Sequence, residues 1–259
     1  MLSILIPCRH YDCGELVSEL DRQCRDAGIL YEILVGEDNG ETPMGRAANR
    51  NQLVKKAQYD YLLFIDADAL VCRPDYIRKF WNNRDEATVI VGGLETPQKP
   101  KKKGMMLRWK YEEANKNKEN FTVFNTLIQK TLFLTVHFNE EICKSYGHED
   151  TLLGVDLQKN GILPLYINNP LIHNGLDTSE MFLKKSETAV KNLIKIGEPL
   201  LSKTSLGKTV KKLKKWHATG LVKSVFSLSK KQIRRNLLSE NPSLSLFQFY
   251  KLGYFLENS

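Results

Sequence analysis

The sequence predicts an α/β fold: a mainly parallel, Rossmann-like sheet flanked by helices, with a basic helical extension at the C-terminus. Short apolar runs alternate with helical patterns over the first half of the chain. This β-α-β-α-β order favours a parallel sheet covered on both faces, whose ligands gather at the carboxyl ends of the strands. From about Thr178 the pattern becomes helical and basic. We therefore expect a sheet domain at residues 1–177 and the extension at residues 178–259.

The predicted strands and helices follow from local patterns. Strands are expected where short apolar runs occur, at Leu2–Ile6, Glu32–Val35, Tyr61–Ile65, Thr88–Val91, Phe124–Ile128 and Leu163–Ile167. Helices are expected from about Leu16 to Gly28, at Arg46–Ala57, from Pro74 to about Asn82, and at Glu149–Lys159. If the sheet is parallel, the segments that follow the first three strands lie side by side at one edge.

The chain of 259 residues is long enough for one large α/β domain with an appendage. No stretch approaches the roughly 18 apolar residues of a membrane span, and the N-terminus enters a strand without a basic leader. The expected location is therefore the cytoplasm, with at most an attachment to a membrane surface. The five cysteines show no metal-binding spacing and are expected to be reduced thiols: Cys8, Cys13, Cys24, Cys72 and Cys143.

The net charge of +8 is concentrated near the C-terminus. No Asp or Glu occurs between Glu198 and Glu240, whereas eleven lysines and arginines do, all within residues 203–235. Lysines on one flank of a helix and apolar residues such as Val210 and Trp216 on another would form an amphipathic segment. Such a segment could bind an anionic membrane or pack on the rest of the chain. Nucleic acid is not an expected partner, because no groove-reading or stacking motif accompanies the charge.

Two acids, Asp66 and Asp68, directly follow the predicted strand Tyr61–Ile65. In an extended chain both side chains share a face, and such a pair can hold a divalent cation against a diphosphate. The competing interpretation is a chance D-x-D string that caps a turn.

The loops after the first two predicted strands also carry polar groups. Arg9 could bind a phosphate, or could simply be solvated. Asp38 could accept hydrogen bonds from a base or ribose, or could form a turn with Asn39. Arg46 opens a predicted helix, where an anion meets free backbone N–H groups. The usual cradles for ATP hydrolysis and dinucleotide redox chemistry, a P-loop or a G-x-G-x-x-G string, are missing from the sequence.

A second cluster, His148-Glu149-Asp150, lies at the start of a predicted helix. Asp150 could cap that helix, or could act as a general base on an attacking hydroxyl. The helix N-terminus lowers the pKa of an acid, whereas burial and the neighbouring Glu149 raise it, so the sequence leaves the balance open. His173 follows the last predicted strand, where it could be a structural residue or a metal ligand. A carboxylate with an imidazole suits manganese well and magnesium less well.

Together these segments resemble a family 2 glycosyltransferase of the GT-A fold, from Leu2 to about Asn174. Residues 2–7 resemble the opening strand of that family, and residues 35–40 its nucleotide-binding V-x-D-D-G segment. Residues 48–51 are similar to its A-R-N helix, and residues 64–68 to its D-x-D strand. Phe138-Asn139-Glu140 followed by residues 146–150 resembles its F-D-E and G-G-E-D run.

Two features resemble the galactosyltransferase and chondroitin-polymerase branch of that family. Pro7-Cys8-Arg9 is similar to its P-x-R start, and Arg46-Ala47 with Asn51 resembles its R-A-x-x-x-N helix. His148 and Asn139 depart from the family pattern at positions of the second glycine and the aspartate, which leaves the acceptor open.

The resemblance implies a metal-dependent, inverting transfer from a nucleotide-sugar, such as a UDP-sugar, to a saccharide or lipid-linked acceptor. Asp150 would be the base, Glu149 would orient the acceptor beside His148, and Asp68 and His173 would hold Mn²⁺ or Mg²⁺. The donor would meet the remaining candidates: Pro7, Arg9, Asp38, Arg46, Asn51, Asp66 and Ala67. The alternatives are a sugar nucleotidyltransferase, which should carry a glycine-rich N-terminal signature, and a non-catalytic nucleotide-sugar-binding module, which should have lost one of the acids.

Overall fold

The computed structural model describes residues 1–116, 118–142, 146–198 and 200–259. Two compact units make up the chain. The first comprises Met1–Pro97, Lys116–Lys144 and Glu149–Gly175, and the second comprises Gln98–Asn115, Ser145–His148 and Leu176–Ser259. The sequence predicted a boundary at residue 178. The longest segment of the second unit starts at Leu176, but the unit also includes residues 98–115 and 145–148. Cys143, one of the cysteines expected to be a reduced thiol, lies outside the described residues.

The elements of both units are as follows. The strands are β1 (Leu2–Cys8), β2 (Tyr31–Glu37), β3 (Tyr61–Ile65), β4 (Ala69–Leu70), β5 (Val89–Val91), β6 (Leu94–Glu95), β7 (Asn125–Gln129), β8 (Leu165–Tyr166) and β9 (Leu171–His173). The helices are α1 (Gly14–Asp26), α2 (Arg46–Lys56), α3 (Tyr76–Asn83), α4 (Met106–Glu113), α5 (Lys130–Val136), α6 (Glu149–Lys159), α7 (Ser179–Ile196), α8 (Leu200–Lys203), α9 (Ser205–Lys215), α10 (Thr219–Leu237) and α11 (Leu244–Asn258).

A six-stranded sheet forms the centre of the first unit, in the order β2-β1-β3-β7-β5-β8. Strands β2, β1 and β3 are parallel, and so are β5 and β8, but β7 runs antiparallel to both of its neighbours. The α/β prediction is confirmed. The sheet is more mixed than the alternating pattern suggested, because a short apolar strand does not carry its direction in its sequence.

A second sheet, β4-β9-β6, was not predicted from the sequence. Its strands have two or three residues each, too short for a readable alternation of polar and apolar side chains. The predicted last strand, Leu163–Ile167, is shorter in the structure, where it covers Leu165–Tyr166, and β9 follows it.

Helices cover both faces of the large sheet because successive side chains of a strand point to opposite sides. On β1, Ile4 and Ile6 pack in the apolar cluster that α1 and α3 cover. Leu5, between them, packs in the opposite cluster with residues of α2, α5 and α6. Helix α3 begins at Tyr76 rather than at Pro74, so Pro74 precedes the helix instead of lying in its first turn.

The second unit is helical and has an aromatic core. Phe182 of α7, Tyr111 of α4 and Phe247 of α11 pack together, with ring centroids 5.4–5.6 Å apart. Phe226 of α10 lies against Gly253 of α11, where an added Cβ would overlap the ring. Across the described ranges, no helix combines the length and apolar character that crossing a membrane requires.

Candidate active site

The loops that follow β1, β2 and β3 meet at the carboxyl edge of the sheet, as predicted, because these strands are parallel neighbours in the order β2-β1-β3. The Asp38 backbone N–H donates to the carbonyl of Cys8 at 3.0 Å. The His10 N–H donates to Oδ1 of Asn39 at 2.9 Å. The first two loops are therefore fastened to each other.

Asp38 is buried, and its carboxylate organises its own loop. Oδ1 accepts from the Met44 N–H at 3.1 Å, and Oδ2 accepts from the Gly45 N–H at 3.4 Å. These contacts replace the turn with Asn39 that the sequence suggested. They hold the chain where it enters α2, just before Arg46.

The segment that contains Asp66 and Asp68 is a turn. The Ala69 N–H donates to the Asp66 carbonyl at 3.1 Å, and β4 begins at Ala69. The expectation of an extended chain with both carboxylates on one face is therefore wrong. The two acids have different partners: Asp66 contacts Arg50, and Asp68 contacts His173.

Arg50 connects the D-x-D turn to helix α6. Its side chain is only 2% exposed, and its two terminal nitrogens contact Asp66 Oδ1 at 2.8 Å and Asp150 Oδ1 at 3.3 Å. Its guanidinium also lies 5.3 Å from the ring centroid of Phe138. Burial opposes the charge of Arg50, but the two acids outweigh it and raise its pKa, so the side chain stays cationic.

The same charges act on Asp66. Burial favours the neutral acid, yet Arg50 and then Arg46 lower the pKa of Asp66 below its ordinary value. Asp66 is therefore an anion at neutral pH. Arg46 is exposed at the start of α2, and its charge contributes to lowering the pKa of Asp66.

Asp150 lies in the first turn of α6 and is held by three donors. Besides Arg50 at Oδ1, the Thr122 hydroxyl donates to Oδ2 at 2.9 Å and the Val123 N–H donates to the same atom at 3.1 Å. About a quarter of its side chain remains exposed, 26%. Oδ1 thus has one contact, at 3.3 Å from Arg50, whereas Oδ2 accepts two hydrogen bonds.

Glu149 differs from its neighbour because it is buried. Burial, and then the charge of Asp150, raise the pKa of Glu149 above its ordinary value. Of the two carboxylates, that of Asp150 is therefore the more accessible to solvent.

His173 reaches Asp68 through the small sheet. Strands β4 and β9 pair antiparallel with Ala69 opposite His173, and the Asn174 N–H donates to the Asp68 carbonyl at 2.9 Å. This register places Nε2 of His173 3.1 Å from Oδ2 of Asp68. The pairing of β4 with β9 therefore explains why Asp68 and His173, 105 positions apart, contact each other. The sequence pattern did not show this pairing.

The Asp68–His173 pair fits a divalent cation as two of its ligands. Adjacent ligands of an octahedral ion lie about 3 Å apart, which matches the separation of these two atoms. Within the described part of the chain, no group of three or more His, Cys, Asp or Glu side chains is arranged to hold a metal. Donor phosphates and water would have to complete the shell, as is usual for Mg²⁺ with nucleotides.

Gly175 provides a test of this pair. A Cβ added at Gly175 would lie 2.7 Å from the Cβ of Asp68 and would overlap its carboxylate. We expect Gly175→Ala to turn Asp68 away from His173 and to weaken manganese binding roughly 10- to 100-fold, as changes next to metal ligands commonly do. Isothermal titration with Mn²⁺ and a nucleotide measures this affinity. Gly220→Ala, at a glycine with open space around it and no positive φ, is the control for a general effect of added bulk, and equal losses in both variants would contradict the assignment.

The other predicted residues divide into two groups. Pro7 lies near the end of β1, Arg9 is exposed in the loop that follows it, and Ala67 lies in the D-x-D turn. Asn51 instead contacts protein: its amide exchanges hydrogen bonds with the backbone of Phe138 and also donates to Glu140. We therefore assign Asn51 to holding residues 138–140 and leave it out of the donor contacts proposed below.

His148 belongs to the second compact unit. Its backbone φ is +75°, a conformation that few residues other than glycine adopt, and the preceding Gly147 has a φ of +104°. Burial lowers the pKa of His148 below its ordinary value. The side chain is therefore a neutral imidazole at neutral pH.

Sequence analysis did not assign a role to Arg50 or Thr122. Arg50 has a readable signal, because the spacing of Ala47, Arg50, Leu53 and Val54 places the arginine on the buried stripe of α2. A cation at a core position needs buried acids as partners. Thr122 precedes β7 and has no comparable signal, since its partner is 28 positions away.

A known family model matches the part of the chain that contains the three acids. Residues 37–151 match the family model described as Glycosyl transferase family 2, a little under half of the chain. The matched segment contains Asp66, Asp68 and Asp150. That segment is similar to family 2 glycosyltransferases. The fold is the GT-A type that the sequence predicts, and the match favours sugar transfer over the nucleotidyltransferase alternative.

Solved structures resemble the chain in fold. The catalytic domain of Drosophila beta1,4galactosyltransferase 7, in complex with xylobiose, is 16% identical, with a TM-score of 0.50 over 66% of this chain and 69% of that one. A mutant of that enzyme, in complex with manganese, UDP-Gal and xylobiose, gives the same values. S. aureus TarS 1-349 is 15% identical, with a TM-score of 0.47 over 74% of this chain and 65% of the TarS chain. This chain thus spans less than two thirds of the TarS chain. No curated protein matches the chain.

Proposed function

We propose that the enzyme transfers a sugar from a nucleotide-diphosphate donor, a UDP-sugar, to a hydroxyl of a saccharide or lipid-linked saccharide. The reaction inverts the anomeric carbon, depends on Mn²⁺ or Mg²⁺, and serves the assembly of a surface polysaccharide or another glycan. The observation that carries this proposal is the pair of contacts made by Arg50, which bring Asp66 and Asp150 together. Sugar transfer needs a donor-binding acid and a base beside each other.

The donor half of the site consists of the three loops at the carboxyl edge of the sheet. Asp66 accepts hydrogen bonds from the ribose, for which its anionic state is suited. Asp38, with Pro7 and Ala67, lines the position of the nucleoside, and Arg9 and Arg46 bind the diphosphate. The neighbouring structure that contains manganese, UDP-Gal and xylobiose supports a UDP-sugar and a saccharide as the two substrates.

Asp68 and His173 hold the metal ion through a carboxylate oxygen and an imidazole nitrogen, a donor set that suits manganese. Such an ion, when bound, would supply positive charge that stabilises the leaving nucleoside diphosphate.

The sugar is transferred in one displacement. Asp150 takes the proton of the acceptor hydroxyl, the acceptor oxygen forms its bond to the anomeric carbon, and the bond from that carbon to the phosphate oxygen breaks. The nucleoside diphosphate leaves with the bonding electrons, so the configuration inverts. Glu149 and His148 are assigned to the acceptor, with Glu149 orienting its hydroxyl.

We place the enzyme in the cytoplasm, on the inner face of the membrane, where lipid-linked acceptors are found. Among the described cysteines, Cys8, Cys13, Cys24 and Cys72 are free thiols, which suits a reducing compartment. The basic residues within 203–235 would provide the attraction to anionic lipids.

A thermal-shift screen of nucleotide sugars in the presence of manganese tests the donor and the metal together. A ligand at about 100 times its Kd stabilises the native state by about 2.7 kcal/mol, which raises the melting temperature by several degrees. We expect a UDP-sugar to do so only with manganese present, and we expect Asp68→Ala to abolish the metal-dependent part. Calorimetry with and without manganese checks the same loss directly.

Asp156→Ala, at a half-exposed aspartate paired with Lys159 on α6, is the matched control and should keep the full shift. If Asp68→Ala binds UDP-sugar and manganese as tightly as the unaltered enzyme, the metal assignment is wrong. If no nucleotide sugar stabilises the enzyme, the proposed donor class is wrong.

A further inference from the structure

Helix α10 presents an apolar stripe to solvent. Leu221, Val225 and Leu228 are 70%, 48% and 89% exposed. At 100° per residue these three side chains lie within about 60° of arc on the helix. An isolated exposed leucine is ordinary, but three in one row are the pattern of a contact surface.

This stripe is distinct from the face that α10 uses for packing. Phe226, Ile233 and Leu237 are buried in the aromatic core of the second unit, and they point about 130° away from the stripe. The helix therefore has two apolar faces, and the core of its unit uses only one of them.

The helices that carry the stripe and Trp216 are rich in exposed cations. Residues 199–239 contain no acid, and side chains of α9 and α10 that are exposed include Lys212, Lys215, Lys223, Lys231 and Arg235. Other cations of these helices are engaged within the unit, such as Lys230 with Glu257 and Arg234 with Glu180. The partner of this surface must therefore offer both apolar groups and negative charge.

Trp216 adds a third observation. It ends α9 just before α10 begins, and its side chain is 69% exposed. An indole with an apolar body and one N–H donor favours the boundary between lipid headgroups and acyl chains. A basic, amphipathic surface with exposed tryptophan and leucine is the pattern of a helix that lies in the plane of a membrane.

We propose that Trp216 and the Leu221-Val225-Leu228 stripe insert into the headgroup region of an anionic membrane, with α10 lying along the surface. The lysines and Arg235 neighbour lipid phosphates, where each charge contributes about fivefold to binding. This inference deepens the proposed membrane attachment and rests on it. It does not depend on the donor, the metal or the base assigned above.

Flotation of the full chain with vesicles tests the inference. We expect the enzyme to float with vesicles of equal parts phosphatidylcholine and phosphatidylglycerol, and to remain behind with phosphatidylcholine alone. The variant Leu221→Ser/Val225→Ser/Leu228→Ser should lower partitioning into the anionic vesicles at least about tenfold. Leu163→Ser is the matched control, because Leu163 is a 79% exposed leucine of the first unit, and it should float like the unaltered chain.

A second variant, Lys223→Gln/Lys231→Gln/Arg235→Gln, should also weaken flotation, and added salt should weaken it further. Equal binding to neutral and anionic vesicles, or full flotation of the serine variant, would overturn the inference. A concentration-dependent dimer that the unaltered chain forms and the serine variant does not would also overturn the inference, because the stripe would then bind a second copy of the chain. Stabilisation by a UDP-sugar with manganese should persist in every variant, which separates this test from the test of the donor.

Discussion

Asp150→Asn should lower turnover by roughly two to four powers of ten while leaving the affinity for the nucleotide sugar nearly unchanged, because a general base contributes about that much. Asparagine has the shape of aspartate but cannot take up the proton of the acceptor. Initial rates of nucleotide release at saturating donor and acceptor measure the effect. Donor affinity from calorimetry completes the comparison.

The contacts of Asp150 call for a control on stability. In the variant an amide N–H₂ group must face either Arg50 or the Val123 N–H, so we also expect a loss of about 1–3 kcal/mol of stability. Thr122→Val removes one donor to Asp150 while leaving its carboxylate, and it should reduce turnover much less. An Asp150→Asn enzyme that is folded and still works at half the normal rate would refute the assignment of the base.

Arg50→Met should reduce the free energy of unfolding by about 3 kcal/mol, the lower end of the range for breaking a buried ion pair. Methionine fills similar space, but it leaves Asp66 and Asp150 facing each other without their shared cation. The lower end applies because water still reaches part of both acids, whose side chains are 19% and 26% exposed. Chemical denaturation measures the loss. Turnover should fall with it, because both acids would change position.

Arg50→Lys separates charge from geometry. Lysine keeps the cation but lacks the planar fork that reaches two carboxylates, so it should recover part of the stability and little of the turnover. Arg22→Met, at an exposed arginine of α1, should change stability by less than about 0.5 kcal/mol. A double variant with Asp66→Asn should show coupling of about 0.5–3 kcal/mol between the two positions. If the two substitutions are additive, the proposed link is wrong.

The strands and helices predicted most accurately are those in which one local signal dominates. Tyr61–Ile65 was predicted to the residue, because it is a continuous apolar run that ends in an acid. Glu149–Lys159 was also predicted to the residue, with acids in its first turn and Gly161 just beyond its end, at a φ of +74°. The resemblance to family 2 glycosyltransferases likewise rests on the order of several such motifs along the chain, and the family model matches residues 37–151.

The rest depends on pairing between distant strands, which a local pattern does not contain. Strand β7 was placed correctly to within a residue, but its antiparallel direction depends on how the chain returns to the sheet. The contact of Asp68 with His173 was expected from resemblance, whereas its physical cause is the register of two very short strands. The bridge made by Arg50 requires three elements to meet, and no single segment encodes it.

The reversed direction of β7 has a consequence for engineering. Because this strand enters the sheet at the edge where its parallel neighbours leave, the residues just before it, Thr122 and Val123, adjoin the Asp150 carboxylate. The exposed stretch ahead of them can therefore be exchanged without altering the segment from Leu2 to Leu70, which is proposed to bind the donor. A library confined to residues 118–120, which leaves Phe121 packed on the core, is accordingly the economical place to seek variants that glycosylate a different alcohol.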